Sequence, residues 1–239
     1  KEKNMQPEFV EDAILEKYKT VAAATVFSAL KDREDFNCLL EDVYPMTPGK
    51  TIVGRARTLR FLPDRPDLAE ELAQKQGAEY EAMDLCSEGD VLVVDALGIP
   101  YEGIGGDIKY LQLKIQGASG LITDGAIRDL DEVAAYGYPI FARRRTPGIA
   151  RTTKPYQANV DIQCAGVLVR PGDVIVGNDD GVVVVPSQWA KEVVEWAIEH
   201  EGVENEIKKR IEREKCSPGK YYNPKKIDEI HKELYGEHD

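Results

Sequence analysis

The feature that most constrains the fold is an aliphatic run that is followed by a glycine-rich turn and an amphipathic segment. The run, 91–94, contains no polar residue, which is typical of a strand buried on both faces. The turn at 103–107 leads into 108–118, where apolar residues recur at helical spacing, so we expect a helix with this face packed inward. These residues are Ile108, Leu111, Ile115 and Ala118. A second aliphatic run begins at Leu121, and the order of strand, turn, helix and strand predicts an α/β fold.

The remaining segments fit one such domain with helical ends. Helical spacing predicts helices over 8–31 and 67–85, and alternation predicts a half-buried strand over 51–61. Further strands are expected at 138–142 and, separated by turns, throughout 158–185. Ser187 is a plausible N-cap for a long, increasingly charged helix, and a short helix is expected at 227–234. We therefore predict a single domain over 1–239, with a core of about 20–205 and a helical extension of about 206–239.

Composition excludes several classes of function. The 239 residues carry a formal net charge of -12, which argues against binding to nucleic acid or an anionic membrane, because both need a basic face. No apolar run approaches the ~20 residues of a membrane helix, and the N-terminus shows no signal-peptide core. The four cysteines are scattered without a CxxC pair, so buried free thiols are expected. We expect a cytoplasmic protein.

Two short motifs carry the chemistry. In the first, Gly103-Ile104-Gly105-Gly106-Asp107-Ile108, a turn opens onto a helix and would present backbone N–H groups to an anion. A dinucleotide site would need glycine in place of Ile108, and the Walker ending is absent. The second motif ends a buried strand with Arg128-Asp129. The planar guanidinium of Arg128 is suited to a carboxylate, and the hard carboxylate oxygen of Asp129 is suited to magnesium or manganese. From these residues alone, a plain surface turn remains an equal alternative.

Together the two motifs form the pattern D-x20-R-D, which resembles the signature of the RraA-like family, in its branch of class II pyruvate aldolases. The blocks GDVLVVDALG, GLITDGAIRD and RPGDVIVGNDDGVVVVP agree with it in register, and the resemblance covers roughly residues 20–200. The family's known enzymes are 4-hydroxy-4-methyl-2-oxoglutarate and 4-carboxy-4-hydroxy-2-oxoadipate aldolases, which also decarboxylate oxaloacetate. The resemblance therefore implies a metal-dependent carbon–carbon lyase that acts on 2-oxo acids through a pyruvate enolate.

The resemblance also implies a fold, an assembly and site residues. The fold is the α/β, swivelling β/β/α type, and members form homotrimers or homohexamers with sites between subunits. Substrate binding falls on Gly106, Asp107, Ile108, Lys109 and Arg128. Asp129 falls on the sole direct protein ligand of the metal, which is Mg²⁺ or Mn²⁺. Asp107 falls on the residue that orients water. The resemblance therefore implies Asp107 and Arg128 as the catalytic residues. A glutamate from a neighbouring C-terminal helix is also implied, with Glu201 and Glu204 as the candidates.

Two other functions stay open. A lyase or dehydratase acting on sugar-acid derivatives would reuse the same enolate chemistry. The family also includes the regulator of ribonuclease E, which lacks the catalytic pattern, since its counterpart of Asp129 is not acidic and its Asp107 position is altered. The chain keeps both carboxylates, which favours an enzyme. The basic stretches 143–145 and 151–154 are either solvated loops or a recognition site for a second substrate anion.

Overall fold

The computed structural model describes residues 9–31, 37–70 and 77–236. The strands are β1 (Tyr44–Pro45), β2 (Ile52–Pro63), β3 (Asp90–Asp95), β4 (Gly120–Ile127), β5 (Ile140–Arg145), β6 (Thr153–Ala158), β7 (Ile162–Cys164), β8 (Val167–Val169), β9 (Val174–Asn178) and β10 (Gly181–Val185). The helices are α1 (Asp12–Tyr18), α2 (Ala23–Lys31), α3 (Ala78–Asp84), α4 (Asp107–Gln116), α5 (Leu130–Ala134), α6 (Ala190–Glu214) and α7 (Pro224–Tyr235).

The strands form a mixed sheet with a parallel centre. Its order is β1-β5-β4-β3-β2-β9-β10, with β6 paired to β2. Within this row β2, β3, β4 and β5 are parallel to one another. The strands β1, β6, β9 and β10 pair antiparallel with their partners. A bridge between Leu39 and Val183 of β10 brings the chain before β1 to the far edge, so the sheet curves into a nearly closed barrel. The predicted α/β class is confirmed.

Hydrophobic clusters lie on both sides of this sheet. One fills the barrel interior with aliphatic side chains such as Val93 and Ile122, over which the β7–β8 hairpin packs. A second lies between the outer face of the sheet and helices α3 and α4, where Leu92 and Leu113 are fully buried. A third joins α1, α2 and α6 to β9 and β10. Because both faces of the parallel strands are covered, their side chains are buried in either direction.

This double burial corrects one prediction from the sequence. Strand β2 was expected to be half-buried, but it is buried on both faces for most of its length. It is central to the sheet, and two of its polar residues, Arg55 and Arg57, pair with buried Asp90. Arg55 is only 6% exposed and lies 3.2 Å from Asp90, which is fully buried. The alternation of polar and apolar residues along β2 therefore reflects a buried polar network and not a solvent-exposed face.

Helix α4 forms where predicted, but its orientation was predicted wrongly. Ile108 and Ile115 are 82% and 76% exposed, and the helix instead buries Tyr110 and Leu113. Tyr110 sits against the backbone of Gly105, where an added Cβ would clash with its ring. The aromatic ring needs the space beside the sheet, so the aliphatic stripe faces outward. In this single chain the stripe is an uncovered apolar surface.

Three other boundaries differ from the predictions. The described part of 8–31 contains two helices, since the chain turns between Tyr18 and Ala23. The predicted helix 67–85 is represented by a 3-10 turn at Pro66–Leu68 and by α3, and 71–76 lie outside the described residues. Ser187 does not cap a helix, because it begins a 3-10 turn and its backbone N–H bonds Asp173.

The C-terminal helices form a hairpin with a small hydrophobic cluster of its own. Helix α7 packs on α6 through Val203, Ile207 and Ile230, and α6 runs without a break across residue 206. The predicted limit of the core near that residue remains a prediction. The free cysteines Cys38, Cys86 and Cys164 are buried as expected, whereas Cys216 is half-buried. In the described ranges, no helix has the length and apolar character needed to cross a membrane.

Candidate functional site

The two sequence motifs meet at the carboxyl ends of β3 and β4. After β3 the chain runs to Gly103, which forms a parallel bridge with Ala126 of β4. The Ile104 N–H donates to the Ala126 carbonyl at 3.0 Å, which fixes the glycine turn beside the end of that strand. Arg128 and Asp129 follow β4 directly. The parallel sheet thus brings together residues that are twenty positions apart, as ligand sites in α/β sheets commonly do.

All six predicted site residues line one cavity of about 860 Å³. They are Gly106, Asp107, Ile108, Lys109, Arg128 and Asp129. The volume lies within the range of ~300–1,000 Å³ that is usual for small-molecule sites. The placement shows that these residues share one space, while their individual roles stay predictions.

Arg128 and Asp129 form a close ion pair in the cavity wall. Arg128 Nε lies 3.2 Å from Asp129 Oδ2, and each side chain is about one third exposed, at 34% and 31%. Nε is shielded from solvent, and its contact with Asp129 is an ion pair without hydrogen-bond geometry. Asp129 has a left-handed backbone, with φ 52° and ψ 40°. Such a conformation is tolerated by aspartate and is typical of functional sites.

The first turn of α4 lines the cavity with an uncapped helix N-terminus. Gly106 is extended at φ -134° and ψ -169°, and no side chain caps the helix. The first N–H groups of a helix have no acceptor within it, so those of Asp107, Ile108 and Lys109 are available to a carboxylate. The Lys109 ammonium is already engaged, since Nζ lies 2.9 Å from Glu79 Oε1. The turn therefore offers backbone donors.

Gly106 is needed for the close approach of Asp129. A Cβ at position 106 would collide with Asp129 Oδ2. We expect Gly106→Ala to lower catalytic turnover by at least about tenfold, because the carboxylate must move, while stability changes by less than about 1 kcal/mol because the backbone suits any residue. Turnover and urea denaturation of the variant measure the two effects.

Gly117→Ala at the other end of α4 is the matched control. Gly117 has φ 73° and open space around it, so alanine there should cost about 1 kcal/mol of stability and leave turnover unchanged. Equal turnover in the two variants would show that the space beside Asp129 does not matter.

Two other cavity residues, Asp64 and Glu79, could not be recognised from the sequence. Thr153 and Lys154 line the same space and fall in the basic stretch 151–154, for which the sequence left anion recognition open. Buried Glu102 ties these walls together, because its carboxylate accepts hydrogen bonds from the Thr152 N–H and from both threonine hydroxyls. Burial raises the pKa of Glu102, but these bonds outweigh it and the net pKa is lowered. Asp64 and Glu79 lie far from both motifs along the chain, so the sequence did not identify them as site residues.

The basic stretches do not act as one surface. Lys154 lies in the cavity wall, 3.9 Å from Asp64. Arg144 and Arg145 are exposed and line a separate depression, whereas Arg143 donates to the Gly98 carbonyl at 3.2 Å. Arg145 also shares a second depression with Arg128 and Asp129, so the recognition of a second anion stays a prediction that involves Lys154 and Arg145.

The donor set fits a magnesium-type ion. Asp107 and Asp129 line the same cavity, and the described residues contain no group of three or more His, Cys, Asp or Glu side chains placed to hold a metal. Magnesium is commonly bound through one or two carboxylates with water completing the shell, so no larger group is required. The space left by Gly106 allows Asp129 to face the cavity beside the helix terminus.

The candidate C-terminal glutamates have partners within the chain. Glu201 Oε1 accepts from the Ala22 N–H at 2.7 Å and from the Thr25 hydroxyl at 2.9 Å, which stabilises the start of α2. Glu204 lies 3.6 Å from His200 Nε2. Whether either residue reaches a neighbouring site stays a prediction.

Sequence comparison decides the family. The model described as "RraA-like: Aldolase/RraA" matches residues 23–184, which is more than half of the chain. The chain belongs to the RraA-like family. A Halalkalibacterium halodurans relative named "Putative 4-hydroxy-4-methyl-2-oxoglutarate aldolase" is 35% identical over 180 residues, covering 75% of this chain and 80% of that protein. The resemblance predicted from the D-x20-R-D pattern is therefore confirmed.

Solved structures of RraA-like proteins share the fold. Streptomyces coelicolor RraAS2, titled an unusual member of the RNase ES inhibitor RraA protein family, has 33% identity and a TM-score of 0.77, covering 86% of this chain and 100% of that one. An uncharacterised protein from Pseudomonas syringae pv. tomato has 27% identity and a TM-score of 0.79, with 90% and 95% covered. The family thus contains relatives named as aldolases and as inhibitors, so membership alone does not choose between them.

Proposed function

We propose that this RraA-like protein is a divalent-metal-dependent lyase that cleaves a carbon–carbon bond of 2-oxo acids through a pyruvate enolate. The reaction is of the 4-hydroxy-4-methyl-2-oxoglutarate aldolase type, with oxaloacetate decarboxylation as a second activity. The observation that supports it most is that Asp107, Arg128 and Asp129 line one cavity together with the open N-terminus of α4. A carboxylate, a keto oxygen and a cation can all be held there.

Binding follows from the donors in the cavity. The N–H groups at the start of α4 hold the substrate carboxylate, at the positive end of the helix. Asp129 would be the direct protein ligand of Mg²⁺ or Mn²⁺, and a cation held there would supply Lewis-acid stabilisation of the keto oxygen. Arg128 donates to the same keto oxygen and strengthens its hold as negative charge develops.

Bond cleavage uses the remaining carboxylate. Asp107 orients a water that accepts the proton of the C4 hydroxyl, and the C3–C4 bond breaks as C4 becomes the carbonyl carbon of the second product. The electron pair stays on C3 as the enolate, which takes up a proton and gives pyruvate. Arg128 holds the enolate oxygen. Oxaloacetate gives the same enolate when it loses carbon dioxide, so one arrangement of residues serves both reactions.

Subunit assembly is part of the proposal. Ile108 lies at the cavity and, with Leu111 and Ile115, forms the uncovered apolar face of α4. A contiguous exposed apolar face is typical of an interaction surface. We propose a homotrimer or homohexamer with its sites between subunits.

Arg128→Ala tests the role of the guanidinium. We expect kcat for oxaloacetate decarboxylation to fall by about 10²–10³, the usual effect of removing an oxyanion donor. The measurement is pyruvate release, coupled to lactate dehydrogenase. Arg144→Ala, which removes an exposed arginine outside the cavity, is the control and should retain full activity. If Arg128→Ala stays within about threefold of the unmodified protein, the proposed site is wrong.

The rival function is non-catalytic regulation of a ribonuclease, as the name of the Streptomyces relative suggests for that protein. Both cavity carboxylates favour catalysis. A protein that releases no pyruvate but inhibits ribonuclease cleavage of RNA would establish the rival.

A further inference from the structure

The β3–α4 loop, residues 96–106, begins in a strained turn. The Ala96 carbonyl accepts the Ile99 N–H at 3.1 Å, which closes the turn over two residues with left-handed backbones. These are Leu97, with φ 57°, and Gly98, with φ 65°. This backbone is ordinary for glycine but unfavourable for leucine, whose Cβ then lies too close to the following carbonyl oxygen. Such a conformation persists only where surrounding contacts hold it, and it is typical of functional sites.

A buried carboxylate holds this turn. Asp124 of β4 is only 1% exposed, and its Oδ1 accepts the Ala96 N–H at 2.7 Å while its Oδ2 accepts the Gly98 N–H at 3.1 Å. Arg143 of β5 also holds Gly98, because its Nη1 donates to the Gly98 carbonyl at 3.2 Å. Hydrogen bonds in which one partner is charged are stronger than those between neutral groups. Asp124 therefore stabilises the turn against relaxation.

The next two residues of β4 contact both ends of the same loop. Gly125 has no side chain, and a Cβ there would lie 2.6 Å from the Ala96 Cβ and 3.3 Å from Ile104 Cγ2. The Ala126 carbonyl accepts the Ile104 N–H at 3.0 Å. Together with Asp124, three consecutive residues of β4 thus fix where the β3–α4 loop begins and where it approaches the helix.

This loop connects the two parts of the proposed site. It ends at Gly106, where the uncapped N-terminus of α4 begins, whereas Arg128 and Asp129 directly follow β4. The contacts between the loop and β4 therefore set the position of the helix N–H groups relative to the guanidinium and the metal-binding carboxylate. A misplacement of about 1 Å in such an arrangement can lower a rate by about 100-fold.

We infer that Asp124 is a positioning residue, which holds the start of the β3–α4 loop so that the N-terminus of α4 faces Arg128 and Asp129. The inference rests on the proposed function, which assigns the substrate carboxylate to these N–H groups and the metal to Asp129. Asp124 does not line the cavity, so it acts through the loop and not by contact with the substrate. Its loss weakens the hold on the substrate and leaves the metal ligand in place.

Asp124→Asn tests this role. Asp124 Oδ2 also accepts from the Gln163 amide at 3.1 Å and from the Ala165 N–H at 3.3 Å, so the amide oxygen of asparagine takes that side. Its NH₂ group then faces the Ala96 N–H, which is left without an acceptor. In the Mn²⁺-loaded protein, we expect the Kd of oxalate, a planar analogue of pyruvate enolate, to rise by at least about tenfold, and kcat for oxaloacetate to fall similarly. Calorimetric titration with Mn²⁺ alone should give an unchanged Kd, and amide hydrogen exchange should become faster in the β3–α4 loop.

Asp173→Asn is the matched control. Asp173 is also buried, at 4% exposed, and its two oxygens accept the Ser187 N–H at 3.1 Å and the Arg170 N–H at 2.8 Å. It holds the β8–β9 turn and does not line the cavity. The same substitution there should lower the urea midpoint as Asp124→Asn does, but it should leave the oxalate Kd and kcat unchanged.

Gly125→Ala is a second variant that displaces the loop without removing a charge. The added methyl group would meet Ala96, and Gly125 does not have a left-handed backbone that alanine would avoid. It should also weaken oxalate binding and retain Mn²⁺ binding, which keeps the inference testable if Asp124→Asn does not fold.

Three results would overturn the inference and leave the proposed lyase standing. They are unchanged oxalate affinity in the folded variants, a parallel loss of Mn²⁺ binding, and an equal loss of oxalate affinity in Asp173→Asn. Absence of pyruvate release by the unmodified protein would instead refute the proposed function, and the inference with it.

Discussion

Replacing Asp129 with alanine is expected to abolish metal-dependent cleavage of 2-oxo acids without unfolding the protein. The carboxylate lies in the cavity wall, 3.2 Å from Arg128 Nε, and is the proposed direct ligand of the metal. Without it no direct protein ligand would remain, since Asp107 is proposed to act through water. We expect turnover to fall to the uncatalysed rate, and calorimetric titration with Mn²⁺ to show loss of binding.

Asp131→Ala is the matched control for this variant. Asp131 is exposed on the first turn of α5, two residues from Asp129 and outside the main cavity. It should keep its Mn²⁺ affinity and turnover. If Asp129→Ala retained metal-dependent turnover, the assignment of the metal ligand would be wrong.

The largest loss of stability is expected from Asp90→Ala. Asp90 is fully buried at the start of β3, and its two carboxylate oxygens lie 3.2 Å from Arg55 Nε and from Arg57 Nε. It also accepts hydrogen bonds from the Ser87 N–H and hydroxyl. Removing one member of a buried network leaves charges without compensation, which typically costs about 3–5 kcal/mol. Urea denaturation should show this loss in the free energy of unfolding.

Asp12→Ala shows how much of the stability loss depends on the burial of the carboxylate that is removed. The Asp12 carboxylate bonds the same Arg55 at 2.6 Å, but its side chain is 79% exposed. Because the Asp12 end of this pair is solvated although Arg55 is buried, the loss should be about 1 kcal/mol and smaller than for Asp90→Ala. Equal losses in the two variants would contradict the importance of the buried network.

The sequence predicted most of the central sheet and the motif residues that share the cavity. Aliphatic runs identified β3 and β4 because both faces of those strands are covered, and the pattern D-x20-R-D identified Asp107, Arg128 and Asp129. The parallel sheet explains why these residues share a cavity, since the carboxyl ends of adjacent strands lie at one edge.

Predictions failed where tertiary packing decided the outcome. The aliphatic stripe of α4 faces outward because Tyr110 occupies the inner position, and helical periodicity does not say which apolar face is covered. The alternation in β2 was read as exposure, whereas Arg55 pairs with Asp90 inside the protein. The cavity residues Glu79 and Lys154 lie far from the motifs along the chain, so only the folded structure brings them to the site.

The most direct test of the proposed function is pyruvate release from oxaloacetate by the unmodified protein, with Mg²⁺ or Mn²⁺ and then with excess chelator. We predict enzyme-dependent release that the chelator abolishes and that added metal restores. Metal alone, without protein, gives the background rate. Release at that background rate in the presence of protein and metal, or release that the chelator does not affect, would contradict a metal-dependent lyase.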